Sequence, residues 1–222
     1  MNKTTMLEKS PTGIEGLDAI LEGGLPKGRT TLVCGGTGCG KTILAIEYLV
    51  RGAMDFDEPG VLFAFEETSD DLAANVASLG IDLLELMDNK LVAIEHFVPN
   101  DKELFAKGTV DLNALFVRLL SAIEAIGAKR IVLDTLETLF AQHPRPEMLR
   151  NELARLFAWL KEQGLTTIVT GEQGGGELTR YGIEEYVSDC VLVLDHRVDD
   201  QISTRRLRVV KYRGSTHGHN EY

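Results

Sequence analysis

A glycine-rich segment, GGTGCGKT, carries side chains whose types and spacing could do chemistry. Gly35, Gly40, Lys41 and Thr42 fit the pattern G-x-x-x-x-G-K-[ST]. Glycines let consecutive backbone amides converge on phosphate oxygens, while the lysine and the threonine can reach a terminal phosphate and its Mg²⁺. The segment is typical of a loop that holds the phosphates of a nucleotide. A glycine-rich turn without a ligand is the alternative.

Three carboxylates follow apolar runs and could complete such a site. Asp134 ends RIVLD, where it could hold Mg²⁺ directly or through water. Glu66 and Glu67 follow GVLFAF, where a carboxylate could orient and deprotonate an attacking water. Successive side chains of a strand point apart, so we expect at most one of the pair to face that water. The alternatives are an aspartate that caps a turn and a solvated acidic pair at a helix entry.

Alternating strand and helix patterns must position these residues. They predict strands over residues 30–34, 60–65, 91–96, 130–134 and 165–171, and helices over residues 42–51, 69–80, 112–126 and 148–163. Gly52 is expected to stop the first helix and Ser69 to cap the second. Two strand-like runs, CVLVLDH and TRRLRVVKYR, lie in the last third of the chain. The pattern predicts an α/β fold with a mostly parallel central sheet, flanking helices and an antiparallel extension near the C-terminus.

Composition limits the classes of protein that the chain can belong to. Its 222 residues suit one α/β domain, and a formal net charge of −11 argues against a surface built for the nucleic-acid backbone. Its apolar runs are too short to span a bilayer, and the first residues lack an apolar signal region. The three cysteines have no paired metal-ligand spacing. We therefore expect a cytoplasmic protein that binds no membrane.

Several segments together resemble the KaiC family of the RecA superfamily, and most closely its N-terminal, CI-type ATPase domain. They are TGIEGLDAILEGGLPKG, the glycine-rich loop, FEETSDDL, RIVLDTL, RYGIEEYVSD and VVKYRGSTHGHNEY. The resemblance implies one RecA-like P-loop NTPase domain over residues 1–222, with ATP and Mg²⁺ as ligands. Family members are homohexamers with ATP between neighbouring subunits, and cyanobacterial KaiC runs a circadian clock.

The resemblance also assigns roles to residues. It puts Thr37, Gly38, Cys39, Gly40, Lys41, Thr42 and Ile43 on the phosphates and Ser78 near the adenine. Glu66 and Glu67 match the catalytic glutamate pair, with Glu66 favoured as the base. The strand and loop that reach the neighbour's nucleotide are matched by Lys211, Tyr212, Arg213, Ser215 and His217. From alternation alone, Lys211 and Arg213 are expected on one face of a strand, as two catalytic cations on one phosphate would require. A protective basic edge strand is the alternative, and Arg205, Arg206 and Arg208 fit it better.

Departures from the family pattern limit these expectations. RYGIEEYVSDCVLVL has no adjacent Ser-Thr pair where the autophosphorylating KaiC domain carries its acceptors, so autokinase activity would lie in a second domain. Residues 97–108 differ from the loop near the KaiB-binding surface, which leaves a KaiB-like partner as an expectation only. We expect the chain to be the first half of a longer, two-domain protein.

Two other functions remain open at this stage. A RadA-like or DnaB-like DNA-binding recombinase or motor is the first, and a nucleotide-locked scaffold with negligible turnover is the second. The acidic charge and the glutamate pair favour a slowly hydrolysing ring ATPase over the DNA-binding protein.

Overall fold

The computed structural model describes residues 7–98, 112–135, 137–138, 146–174, 178–179 and 188–222. Its strands are β1 (Lys9–Ser10), β2 (Leu25–Pro26), β3 (Thr30–Gly35), β4 (Gly60–Ala64), β5 (Val92–His96), β6 (Arg130–Asp134), β7 (Thr166–Glu172), β8 (Cys190–Asp199) and β9 (Ile202–Tyr212). Its helices are α1 (Leu17–Ile20), α2 (Lys41–Phe56), α3 (Ser69–Ala77), α4 (Leu83–Asp88), α5 (Asn113–Ile126) and α6 (Pro146–Glu162).

Seven strands form one sheet in the order β5-β4-β6-β7-β3-β8-β9. Every neighbouring pair is parallel except β8 and β9, which are antiparallel. The carboxyl ends of the parallel strands therefore lie at one edge of the sheet. The predicted α/β class, the mostly parallel RecA-like sheet and the antiparallel extension are confirmed.

Apolar cores lie on both faces of the sheet. On β4, Leu62 packs with the core that contains α2, α3 and α4, while Val61 and Phe63 pack with the core that contains α5 and α6. Alternate side chains of a strand point to opposite faces, so a sheet covered on both faces needs an unbroken apolar run. This explains the unbroken apolar runs VLFAF, within GVLFAF, and IVL, within RIVLD.

Gly52 does not stop α2 as predicted, because the helix continues to Phe56. The Arg130 side chain is completely buried and lies against this glycine. A Cβ atom at residue 52 would lie 2.4 Å from Arg130 Cδ. Gly52 thus leaves space for the buried Arg130 side chain of β6, while the residues around it keep α2 helical.

The start of α3 also differs from the prediction. Thr68, and not Ser69, is the N-cap residue, since its hydroxyl accepts the Asp71 backbone N–H at 3.3 Å. The Asp71 carboxylate accepts the Thr68 backbone N–H in return, which completes a capping box. The short helices α1 and α4 were not predicted at all. Their turns are too brief for a periodic pattern to emerge.

We expect Arg130→Ala to lower the free energy of unfolding by about 3–5 kcal/mol, because it removes the donor from three acceptors. The guanidinium donates to Glu58 at 2.7 Å, to the Tyr48 carbonyl at 2.9 Å and to the Pro11 carbonyl at 2.7 Å. Urea unfolding followed by circular dichroism measures the change.

Arg118→Ala is the control for that measurement. The partly exposed Arg118 guanidinium pairs with Glu95 at 2.9 Å, and such a pair contributes at most about 1 kcal/mol. Equal losses in the two variants would contradict the role assigned to the buried arginine.

Candidate functional site

The glycine-rich loop connects β3 to α2 at the carboxyl edge of the sheet. Gly38 and Gly40 have φ angles of 76° and 103°, which residues with a Cβ atom rarely adopt. Gly35 is required for a different reason, since a Cβ atom there would lie 2.2 Å from the Leu194 carbonyl oxygen of β8. The loop therefore has the backbone shape, and the position before a helix N-terminus, that phosphate binding requires.

Lys41, the first residue of α2, lies within the curve of this loop. Its side chain is buried, and Nζ donates hydrogen bonds of 3.0 Å to the carbonyl oxygens of Gly35 and Gly36. A buried ammonium group is a strong counter-charge for an anion. The phosphate-binding role of Lys41 stays a prediction.

Asp134 ends β6 at the same edge of the sheet and is buried. Burial raises the pKa of this carboxyl, while hydrogen bonds from Thr170 and Thr42 and the charge of Lys41 oppose that rise. Thr170 lies on the neighbouring strand β7, and its hydroxyl donates to Asp134 Oδ1. Asp134 is therefore next to the loop residues Lys41 and Thr42, as the sequence predicted.

The donor set of Thr42 and Asp134 fits Mg²⁺. This ion prefers oxygen ligands and is commonly bound by one or two carboxylates together with substrate phosphates and water. No group of three or more His, Cys, Asp or Glu residues that could hold a metal occurs in the part of the chain that the structure describes. A magnesium site here would consequently depend on phosphate oxygens for its remaining ligands.

Glu66 and Glu67 follow β4 and point to different surroundings. Glu66 Oε1 accepts hydrogen bonds from the hydroxyls of Thr138 at 2.6 Å and Thr135 at 3.4 Å, just beyond β6. Glu67 Oε1 accepts the Asn75 side-chain amide of α3 at 2.9 Å. Although both residues lie beyond the end of β4, the two carboxylates have different neighbours, and Glu66 lies on the Asp134 side.

A cavity of about 580 Å³ lies beside the loop. Gly38, Cys39, Gly40, Lys41, Thr42 and Ile43 line it, as does Glu67. Thr37 lies outside this lining, and its hydroxyl is 3.4 Å from Glu172 Oε1. Ser78 is exposed at the end of α3 and does not line the cavity, although its neighbours Asn75 and Leu79 do.

Arg205 also lines the cavity. From the sequence it was expected only as part of a basic edge strand that protects against aggregation. It lies opposite His196 on the β8–β9 hairpin, beyond the point where β8 pairs with β3. Alternation along β9 puts it on the same face as Leu207 and the buried Val209. That alternation, counted back from Val209, is the signal that could have separated Arg205 from Arg206 and Arg208.

The residues expected at a neighbour's nucleotide lie far from this cavity. Tyr212 ends β9 opposite Cys190, and Cys190 pairs with Thr31 near the amino end of β3. The Tyr212 side chain is buried, and its hydroxyl donates to the Gly24 carbonyl at 2.7 Å. β9 ends at Tyr212, and Arg213 lies in the turn that follows. The prediction that Lys211 and Arg213 alternate along one strand is therefore wrong.

Ser215 and His217 continue from that turn. The Ser215 hydroxyl donates to the Thr216 carbonyl at 2.9 Å, and His217 Nδ1 lies 2.8 Å from the Gly218 carbonyl oxygen. The segment over residues 180–187, which carries part of the family resemblance, lies outside the described residues, as does most of residues 97–108.

Comparisons with known proteins identify the family. A family model described as the KaiC ATPase matches residues 10–222. The chain belongs to the KaiC ATPase family. The circadian clock protein KaiC2 of Synechocystis sp. is 51% identical over 221 residues, which cover 100% of this chain and 39% of that protein. The circadian clock oscillator protein KaiC of Synechococcus elongatus is 41% identical over 218 residues, which cover 97% of this chain and 42% of that protein.

The resemblance read from the sequence is therefore confirmed, and the matched region is the N-terminal half of these KaiC relatives. The chain spans about four tenths of the length of the curated relatives it matches. Whether it is one half of a two-domain protein stays a prediction. No helix among the described residues is long and apolar enough to cross a membrane.

The raised pKa of Asp134 predicts a pH-dependent cost of folding in this KaiC-family domain. A carboxyl whose pKa is higher in the folded state stabilises the fold while it is protonated, and this contribution is lost as pH rises through the folded pKa. Asp134→Asn keeps an uncharged acceptor for Thr170. We expect its free energy of unfolding to exceed that of the wild type by an amount that grows as pH rises above about 4, the ordinary pKa of an aspartate.

Urea unfolding without Mg²⁺ at a series of pH values checks this expectation. Asp88→Asn, at an exposed position at the end of α4, is the control and should follow the wild type across the series. A constant difference between Asp134→Asn and the wild type would contradict the assigned cost of ionisation.

Proposed function

We propose that the chain is an ATPase domain that binds Mg-ATP, hydrolyses it slowly and assembles into a ring with nucleotide at the subunit interfaces. The observation that carries this proposal is the proximity of Lys41, Thr42 and Asp134 at the carboxyl edge of the sheet, with Glu66 beside them. Membership of the KaiC ATPase family supports it.

Phosphate binding is assigned to the loop and the first turn of α2. The loop amides and the α2 N-terminus favour negative charge, and Lys41 adds a full positive charge to them. Thr42 and Asp134 would hold Mg²⁺, which shields the charge on the phosphate oxygens when it is bound. Burial of Asp134 and Lys41 strengthens these interactions, because water screens them less.

Water activation is assigned to Glu66. In the reaction, the water oxygen bonds to the γ-phosphorus while the bond to the β–γ bridging oxygen breaks, and ADP leaves. The proton of the water passes to the carboxylate, as general-base catalysis requires. Glu66 is preferred over Glu67 because it lies on the side of Asp134, whereas Glu67 is bound by Asn75 on α3.

The position of Lys211 and Arg213 supports a ring. Because they lie at the amino edge of the sheet, they are distant from the loop of their own subunit. A head-to-tail contact would bring them to the loop of the next subunit, and repeated contacts of this kind form a ring when the rotation between subunits closes. We propose a homohexamer, a cytoplasmic location and a role in a circadian clock, with a KaiB-like protein as a partner. Any autokinase activity would belong to a second domain.

The DNA-binding alternative is less well supported. Several arginines of the β8–β9 hairpin already have acidic partners, since Arg206 pairs with Glu221 at 2.9 Å and Arg197 pairs with Asp195. Together with the net charge of −11, these pairs reduce the positive potential that phosphate-backbone binding would need.

Lys41→Ala should abolish tight binding of Mg-ATP, because the β- and γ-phosphates lose their main counter-charge. Isothermal titration calorimetry measures the affinity. Lys161→Ala, at an exposed position in the last turn of α6, is the matched control and should bind as the wild type does. Unchanged affinity in Lys41→Ala would mean that the loop is not the nucleotide site.

Mixing two inactive variants tests whether Arg213 acts across an interface. Arg213→Ala and Glu66→Gln should each hydrolyse ATP very slowly alone. The first lacks an arginine that stabilises the transition state, for which we expect a contribution of about 10³-fold or less, and the second lacks the general base. In mixed rings, some sites combine an intact Glu66 with an intact Arg213 from the neighbouring subunit. We expect phosphate release to return in part.

Native mass spectrometry of the mixture shows whether mixed rings form. If such rings are present and remain as inactive as either parent, Arg213 does not act in trans. A single monomeric species in every nucleotide state would refute the ring itself.

A further inference from the structure

The Glu66 carboxylate is held by the turn that follows β6. Its Oε1 atom accepts the Thr138 hydroxyl at 2.6 Å and the Thr135 hydroxyl at 3.4 Å. Both of these hydrogen bonds, which join Glu66 to described residues, use Oε1 and not the other oxygen, Oε2. One oxygen of the carboxylate is therefore anchored, while the second can accept a proton.

We propose that Thr138 is a positioning residue for ATP hydrolysis, which acts by fixing Glu66 through Oε1 and leaving Oε2 for the attacking water. This inference rests on the proposed function. It deepens that function by assigning a residue beyond β6 to the geometry of the base.

Thr138 can fix another side chain because its own position is defined. Its backbone N–H donates to the Thr135 carbonyl at 3.3 Å, and the two hydroxyl oxygens are 3.3 Å apart. Between them, the buried Glu137 carboxylate accepts the Glu172 backbone N–H at 2.6 Å, which attaches the turn to the end of β7. The hydroxyl that holds Glu66 thus belongs to a turn anchored to two strands.

An anchor matters here because Glu66 is exposed and its side chain has three rotatable bonds. Without a partner, the carboxylate would sample several rotamers and occupy the productive one only part of the time. Small errors in the position of a reacting group can cost large factors in rate. Loss of the anchor should therefore lower kcat, whereas ATP binding depends on the loop and Lys41 and should not change.

Thr138→Val removes the hydroxyl with little change in shape. We expect it to lower the kcat of ATP hydrolysis about tenfold, which is a part of the 10²–10⁴-fold that a general base supplies. The KM for ATP should stay within about twofold of the wild-type value, since the substitution leaves the groups that bind ATP unchanged. Thr138→Ser keeps the hydroxyl and should restore most of kcat.

A double mutant tests whether Thr138 acts through Glu66. If it does, Glu66→Gln/Thr138→Val should hydrolyse ATP no more slowly than Glu66→Gln, because the anchored base is already gone. Thr138→Ala replaces Thr138→Val in the same comparisons if the valine variant does not fold. Thermal unfolding and ring assembly of each variant are measured beside the wild-type protein.

Two results would overturn the proposal. They are an unchanged kcat in Thr138→Val, with or without a raised KM, and a further multiplicative loss in the double mutant. Failure of the proposed function gives a different result, because the wild-type protein itself would then release no phosphate from ATP.

Discussion

Parallel pairing of four neighbouring strands is the constraint on which the rest of the site depends. In the registers of the sheet, Gly35 lies opposite Glu172 of β7, and Ala64 lies opposite Asp134. The chain leaves all of these strands at the same edge, where Asp134 ends β6, Glu66 follows β4 and the loop before Lys41 follows β3. A shift of one residue in any register would turn every side chain of that strand to the opposite face.

Strand β6 connects this edge to the rest of the fold through both of its ends. At the amino end, Arg130 binds the Tyr48 carbonyl in the middle of α2, and at the other end Asp134 lies beside the first turn of the same helix. The helix that presents Lys41 is therefore held along its length against one strand. Burial of Asp134 has two opposing effects. It would strengthen the attraction between the carboxylate and a bound cation, and it raises the free-energy cost of ionising the carboxyl.

The β8–β9 hairpin has two ends with different surroundings. Its turn extends past the loop, where Arg205 reaches the cavity, while its other end holds Tyr212 against the Gly24 carbonyl at the amino edge. One strand thus carries cations to two opposite edges of the sheet. This geometry is why a single subunit of this KaiC-family domain does not bring Lys211 and Arg213 to its own loop.

The sequence by itself determined the glycine-rich loop, the strands that lead to Glu66 and Asp134, and the family. Glycine spacing and apolar periodicity are local properties of the chain. It could not separate Glu66 from Glu67, since their difference lies in Thr138 and Asn75, which come from distant segments. It missed the continuation of α2 past Gly52 for the same reason, because the buried arginine that explains this glycine comes from a distant strand. The cavity beside Arg205 likewise exists only once remote residues have packed together.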